Sequence, residues 1–279
     1  NLIGRRIDHG RFKLIDILGK GGYGVVYRAL DTNSPATSPE YYAVKCLRKA
    51  SAGPAQCSEV KLHVKLSSNP NILTIHRCFQ DRNHIYLVMD LCTGGDLYRA
   101  VHGDKVPRAY HMDDAKTKTA ILQSIDTVSA CHDAGIFHRD IKLDNLVCDE
   151  GGLNIRLTDF GMSTRSTRMR VVGAGTHNYL APECTEEQLG ASYSTREADV
   201  WALGVLIFHL INGELPWDDA SPNDPYFAKF LQNPDSLMRY NPMSRDAHEV
   251  LKKVFVGSVE ERITLPKLRA EFEKLDTFY

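Results

Sequence analysis

"HRDIKLDN" occupies residues 138–145, and the reading of this stretch decides the rest. His138, Arg139, Asp140, Lys142, Asp144 and Asn145 crowd into eight positions. Such a density of charge and amide reads either as a solvated turn between two elements or as groups converging on one reaction. The flanking patterns bear on the choice. Upstream, "AKTKTAILQSIDTVSACHDAG" (115–135) reads as a long helix and closes on Gly135, a favourable residue just past a helix end. Downstream, "LTDFG" (157–161) places Asp159 directly after a short strand.

The whole chain is 279 residues, enough for one large domain or two smaller lobes. It is 43% hydrophobic and 25% charged, the composition of an ordinary globular protein. A formal net charge of -1 gives it no electrostatic preference for nucleic acid or an anionic membrane, and neither is expected as a partner. Seven scattered cysteines with no C-x-x-C pair suggest reduced thiols, hence a cytoplasmic or nuclear setting, rather than a zinc site or disulfide framework. "VWALGVLIFHLI" (200–211) is too short to span a bilayer and reads as a buried helix. No signal peptide is read, and a start at Asn1 rather than Met fits an excised domain.

Pattern changes along the chain divide it. "RFKLIDILGKGGYGVVYRAL" (11–30) reads as strand, tight loop, strand. "DTNSPATSPE" (31–40) reads as a loop, "YYAVKCL" (41–47) as a third strand, and "CSEVKLHVKLSS" (57–68) as a helix with apolar Val60, Val64 and Leu66. Two further strands, 71–81 and 84–91, join at Arg82-Asn83. After "CTGGD" the period turns helical, and from Ala181 it stays mostly so. Strands first and helices later predict an α+β fold with a β-rich lobe over 1–91 and a helical lobe over 92–279, a cleft between them.

"GKGGYGVV" sets Gly19, Gly21 and Gly24 in a G-x-G-x-x-G pattern followed by Val26. Alone this is a weak signal, since glycine clusters occur in many hairpins. It joins two strands, which argues against the strand-to-helix dinucleotide site. Glycines also let backbone N–H groups approach phosphate oxygens. On the next strand Lys45 is the one charge among apolar neighbours, either an exposed strand lysine or a partner of those phosphates.

Taken together, Gly19-x-Gly21-x-x-Gly24-x-Val26, Ala43-Val44-Lys45, His138-Arg139-Asp140, Asn145, Asp159-Phe160-Gly161 and Ala181-Pro182-Glu183 stand in the order of a known signature set. On these residues, nearly the whole chain resembles a eukaryotic protein kinase catalytic domain of the serine/threonine type. Its style also resembles that of fungal nutrient- or meiosis-control kinases, with no motif that proves it.

The resemblance implies a two-lobed kinase fold, an antiparallel β lobe with one main helix and a larger helical lobe. The activity implied is transfer of the γ-phosphoryl group of ATP, with Mg²⁺ or Mn²⁺, to serine or threonine hydroxyls of protein substrates. A monomeric catalytic domain is expected. Asp140 would accept or orient the hydroxyl proton, and Lys142 would reach the transferred group and mark serine/threonine specificity. Asn145 and Asp159 would hold metal. Lys45 would meet the α/β-phosphates and pair with Glu59, chosen over Glu40 for its order and helical context. The ATP site would draw on Gly19, Lys20, Gly21, Gly22, Tyr23, Gly24, Val26, Ala43, Lys45, Met89 as gatekeeper, the backbone of Asp90 and Cys92, Asp96 and Val147. Asp96 would lie near the ribose or a basic substrate residue, and it also reads as a helix N-cap. Asp96 and Asp144 align with acids that meet arginines preceding the acceptor in basophilic relatives. Thr176 belongs to the peptide-docking strip. Asp199 would be buried against the loop backbone, and Glu183 would pair with Arg262.

Three departures bear on regulation. Leu143 replaces a common proline. His63 stands where an apolar side chain usually packs against Phe160 and His138, and a neutral core role is expected for it. Val172 takes the usual phosphosite, so Arg139 lacks its phosphate partner there; Ser163, Thr164, Ser166 and Thr167 are the upstream candidates for phosphorylation. An active kinase, a binding module of the same fold and a small-molecule phosphotransferase are the three functional readings. Intact catalytic positions speak against the second, and the Ala181-Pro182-Glu183 segment against the third.

Overall fold

The computed structural model of the chain describes residues 2–21, 24–49, 54–103, 110, 112–170, 173–185, 191–239 and 243–279. They form two compact units: Asn1–Thr93 with Asp159–Gly161, and Gly94–Thr158 with Met162–Tyr279.

The first unit is built on one antiparallel sheet. Its strands are β1 (Arg6–Ile7), β2 (Phe12–Gly21), β3 (Gly24–Asp31), β4 (Tyr41–Arg48), β5 (Ile75–Gln80) and β6 (His84–Asp90), in the spatial order β1-β2-β3-β4-β6-β5. Alternation along the strands sorts side chains by face. Ile7, Phe12, Leu14, Tyr27, Ala29, Val44, Cys46, Tyr86 and Val88 pack into one cluster. The intervening residues of β4 and β6, Ala43, Lys45, Leu87 and Met89, therefore share the opposite face. The β5–β6 turn falls where the sequence places it, because Asp81 Oδ1 accepts from the Asn83 and His84 amides.

Helix α1 (Pro54–Leu66) lies between β4 and β5 and starts three residues before the expected position, with proline at its first turn. Its buried face also differs from the apolar stripe read from sequence. Val64 is 48% exposed, whereas Glu59, Leu62, His63 and Leu66 are buried at the helical spacing 0, 3, 4, 7. Two polar residues face inward because each finds a partner there, Lys45 for Glu59 and the Leu73 carbonyl for His63. Hydropathy alone cannot register such a face.

The second unit contains α2 (Leu97–His102), α3 (Asp114–Asp133), α4 (Thr195–Asn212), α5 (Pro225–Gln232), α6 (Arg245–Lys252) and α7 (Leu265–Glu273). Two small sheets complete it: β7 (Gly95–Asp96), β8 (Leu146–Cys148) and β9 (Arg156–Leu157) in one, β10 (Arg168–Met169) and β11 (Tyr193–Ser194) in the other. Asp113 caps α3 by accepting from the Lys116 amide, and Gly135 beyond its end takes a left-handed φ of 66°. Among the described residues no helix is long and apolar enough to cross a membrane.

Every residue of α4 from Asp199 to Ile211 is buried, as the mostly apolar run from Val200 to Ile211 predicts. The neighbours come close. A Cβ on Gly204 would stand 2.5 Å from Val254 Cγ1 and 3.0 Å from Phe255. Gly204→Ala gains up to ~1 kcal/mol of helix propensity, but overpacking in a filled core costs ~1–3 kcal/mol. A net loss of stability is expected, read as a lower denaturant midpoint at unchanged slope.

His209 on α4 is also buried. Its Nδ1 meets the Tyr179 hydroxyl at 2.9 Å and its Nε2 meets His102 Nε2 at 2.9 Å, with Tyr98 edge-on to the ring. Burial, and then His102, push its pKa from 6.5 down to about 4. The unfolded chain thus takes up a proton below pH 6.5 that the fold refuses until about pH 4. This contribution is complete above pH 6.5, falls as pH drops towards 4, and amounts to about 3 kcal/mol. Denaturant melts between pH 7 and 4.5 should show the loss, and His209→Phe should flatten the profile over that window.

Candidate active site

In the first unit the central charge is Lys45. Its register partners are Val26 on β3 and Leu87 on β6, so it stands mid-sheet, with Val26, Ala43 and Met89 on the same face. Its ammonium donates to Glu59 Oε1 at 2.6 Å and to Asp159 Oδ1 at 2.8 Å. Burial disfavours the ammonium, but the charges of Asp159 and Glu59 outweigh it, and the lysine pKa ends above its ordinary value. Glu59 Oε2 is buried with no hydrogen-bond partner. His63, one turn after Glu59, stacks tilted on Phe160 at 4.7 Å while its Nε2 reaches the Leu73 carbonyl at 2.7 Å. A carbonyl oxygen only accepts, so Nε2 carries the ring hydrogen, and His63 packs as a core ring.

The glycine hairpin has its own structural demand. Gly19 pairs with Val26, Lys20 with Val25 and Gly21 with Gly24; Gly22 and Tyr23 lie outside the described residues. A Cβ on Gly24 would stand 2.4 Å from the Cys46 carbonyl, so the approach of β3 to β4 excludes any larger residue. Asp90 ends β6 with its carboxylate 2.6 Å from His76 Nε2, and Cys92 is half-buried.

In the second unit the loop 138–145 is organised from below by Asp199. Its carboxylate accepts the His138 amide at 2.8 Å, the Arg139 amide at 2.7 Å and His132 Nε2 at 2.9 Å. Arg139 takes a left-handed φ of 66°, a strained conformation for a side-chain-bearing residue. The next residue, Asp140, is gripped at both oxygens. Oδ1 accepts from the Thr176 hydroxyl at 2.6 Å, and Oδ2 accepts from Asn145 Nδ2 at 3.0 Å. Lys142 Nζ lies 3.1 Å from Oδ2 and donates to Thr176 Oγ1 at 2.7 Å. Asn145 gives the same amide nitrogen to the Asp140 carbonyl, which leaves its carbonyl oxygen as the acceptor end. Four residues marked from the sequence, Asp140, Lys142, Asn145 and Thr176, thus share one hydrogen-bond network.

Asp159 follows with φ of 61°, also left-handed. Asp96 caps α2, accepting from the Arg99 amide at 2.8 Å, with Arg99 Nε 3.6 Å away. Burial raises its pKa against the pull of Arg99, and the charge of Asp144 adds to the rise, so the two acids feel each other. Asp144 itself is exposed, and Val147 is half-buried on β8 opposite Asp96.

The segment after Asp159 is tied down without modification. Thr164 exchanges two backbone hydrogen bonds with Phe137, and Ser163 Oγ donates to the His138 carbonyl at 3.3 Å. Ser166 Oγ donates to the Arg168 carbonyl, and Thr167 is exposed. Val172 lies outside the described residues. Farther on, Glu183 receives both Nη atoms of Arg262, at 2.7 and 3.1 Å, and the guanidinium stacks over Trp201 at 5.0 Å. Removing Glu183 would strand the buried Arg262 guanidinium at a cost of roughly 3–5 kcal/mol. Two residues escaped the sequence reading: His132 on α3, which donates to Asp199, and Tyr193 on β11, whose hydroxyl accepts from Arg139 Nε and Nη2 at 3.3 and 3.1 Å. Neither carries a local signal, since each meets its partner only through the fold.

The sequence matches the protein kinase domain family over residues 12–271, from the first residue of β2 into α7. It is 33% identical over 280 residues to the negative regulator of sexual conjugation and meiosis of Schizosaccharomyces pombe, covering 92% of this chain and 58% of that one. It is 31% identical over 282 residues to the serine/threonine-protein kinase ksp1 of the same organism, covering 96% and 59%. With the CBL-interacting serine/threonine-protein kinase 17 of Arabidopsis thaliana it shares 33% over 270 residues, 94% of this chain and 59% of that one. The chain thus spans under two thirds of the length of these relatives. A match along almost its full length, on the motifs that form the two networks above, shows that the chain belongs to the protein kinase domain family.

Proposed function

We propose that the chain transfers the γ-phosphoryl group of ATP to serine or threonine hydroxyls of protein substrates. The observation that carries this reading is the double grip on Asp140. A carboxylate whose two oxygens are held by Thr176 and Asn145, beside the Lys142 ammonium, is a fixed acceptor for a hydroxyl proton. Lys142 supplies positive charge next to that acceptor, where a phosphoryl group gathers negative charge. Lys45, held by Glu59, serves the nucleotide phosphates, and the shared contact with Asp159 shows that it can hold two anionic oxygens at once.

Asn145 in the second unit and Asp159 in the first each offer the hard oxygen that a divalent metal, Mg²⁺ in this reading, prefers. Asn145 fits such an ion because its amide nitrogen is already committed to Asp140, which leaves the carbonyl oxygen to ligate. When bound, the metal neutralises charge on the phosphates.

Asp140→Asn should lower the turnover by roughly 10²–10⁴-fold while the fold survives. Asp159→Asn should abolish transfer comparably and weaken ATP binding in magnesium much more than Asp140→Asn does. Radiolabelled ATP with a protein substrate, Lys45→Met as the dead control, and ATP titrations measure both. Near wild-type turnover in either variant would remove the assignment.

Asp96 and Asp144 support a finer reading, a preference for arginine two or three residues before the acceptor. Burial, and to a lesser degree the charge of Asp144, raises the proton affinity of Asp96, and a guanidinium placed beside the two acids would relieve that repulsion. Arrayed peptides should show enrichment of arginine there. Asp144→Asn should reduce the preference by roughly two- to fivefold, the worth of an exposed ion pair. Arrays without such enrichment would refute the preference and leave the phosphotransfer reading standing.

A further inference from the structure

Arg139 is the residue whose side chain the proposed reaction leaves without a task. Its guanidinium is nonetheless fully directed. Nε and Nη2 both donate to the Tyr193 hydroxyl, at 3.3 and 3.1 Å, and Nη1 donates to the Met162 carbonyl at 3.1 Å. Tyr193 is buried, and burial outweighs the pull of Arg139 to raise the phenol pKa, which keeps the hydroxyl neutral. Its backbone belongs to the β10–β11 ladder, where Met169 pairs with Tyr193 and Arg168 with Ser194. Around that ladder the Thr195 amide donates to the Thr167 carbonyl, Thr195 Oγ1 donates to the Ser166 carbonyl, and Arg168 binds Ser192 twice. A Cβ on Gly175 would stand 2.8 Å from the Arg139 carbonyl, so the same segment also lies directly on the backbone of the loop.

Ordering a segment through an arginine commonly takes an added phosphate, whose oxygens accept charge-assisted hydrogen bonds. Here a tyrosine hydroxyl already accepts them. We infer that Tyr193 is a positioning residue: it anchors Arg139, and through it the adjoining Asp140, so that residues 163–170 and 173–176 hold their working arrangement without phosphorylation. This inference rests on the phosphotransfer reading above and names how that activity is set.

The test uses the whole chain, treated with phosphatase and verified as unphosphorylated by mass spectrometry. The wild type should phosphorylate a protein substrate at once. Tyr193→Phe, which removes one oxygen, should lower kcat roughly tenfold, the worth of one hydrogen bond to a charged group. KM for ATP and the thermal midpoint should stay unchanged. Arg139→Met, which also removes the bond to the Met162 carbonyl, should lose at least as much, and the double variant no more than Arg139→Met alone, because the arginine variant already removes the tyrosine contact. Unchanged kcat in Tyr193→Phe, or additive losses in the double variant, would overturn the inference. Should Tyr193→Phe fail to fold, Arg139→Met carries the test, and its unchanged kcat overturns it equally. A wild type active only after phosphorylation sinks this inference alone. A wild type inactive in both forms removes the phosphotransfer reading and this inference with it.

Discussion

The chemistry of the second unit hangs on one buried carboxylate. Asp199 sits in α4, a helix enclosed on every side, and faces two consecutive backbone amides and an imidazole. Leaving those donors unpaired in a dry interior would cost several kcal/mol in sum. The three hydrogen bonds make the loop at 138–140 part of the core rather than a surface turn. They also explain how Arg139 holds a backbone conformation that it would rarely adopt alone. Everything beyond it, the grip on Asp140 by Thr176 and Asn145 included, starts from a backbone that cannot drift.

Lys45 shows the complementary arrangement in the first unit. There a cation is buried and two carboxylates supply the compensation. Strand register sets the lysine on its face of the sheet, and a helix turned with its polar side inward brings Glu59 to it. Neither element would be stable in that orientation without the other, since an unpaired lysine or glutamate there would be expelled or neutralised.

The division of the chain into strand-rich and helix-rich parts was legible because hydrophobic period and turn residues are local quantities. So were the motif residues, because the charged stretch 138–145, which alone could be a solvated turn, stands in order with the other motifs. The rotation of α1 was not legible. Val64 reads as part of the apolar stripe and is exposed, while His63, expected in the core from the resemblance, is buried, because the face is set by partners outside the helix, Lys45 for Glu59 and the Leu73 carbonyl for His63. His132 and Tyr193 were missed for the same reason. Tyr193 meets Arg139 across 54 positions of sequence, and nothing in "ASYSTRE" announces it.

Of the described side-chain-bearing residues at positive φ, Arg139 and Asp159, at 66° and 61°, are the two that belong to the motifs read from the sequence. Each pays roughly 1–2 kcal/mol that glycine would not. The two positions therefore answer to opposing selection. A library of variants sorted for folding alone would drift towards glycine at 139 and 159. The same library sorted for catalysis would purge those clones first, because glycine there discards the guanidinium and the carboxylate. Where the two sorts disagree most sharply along the chain, they mark function without any knowledge of the substrate.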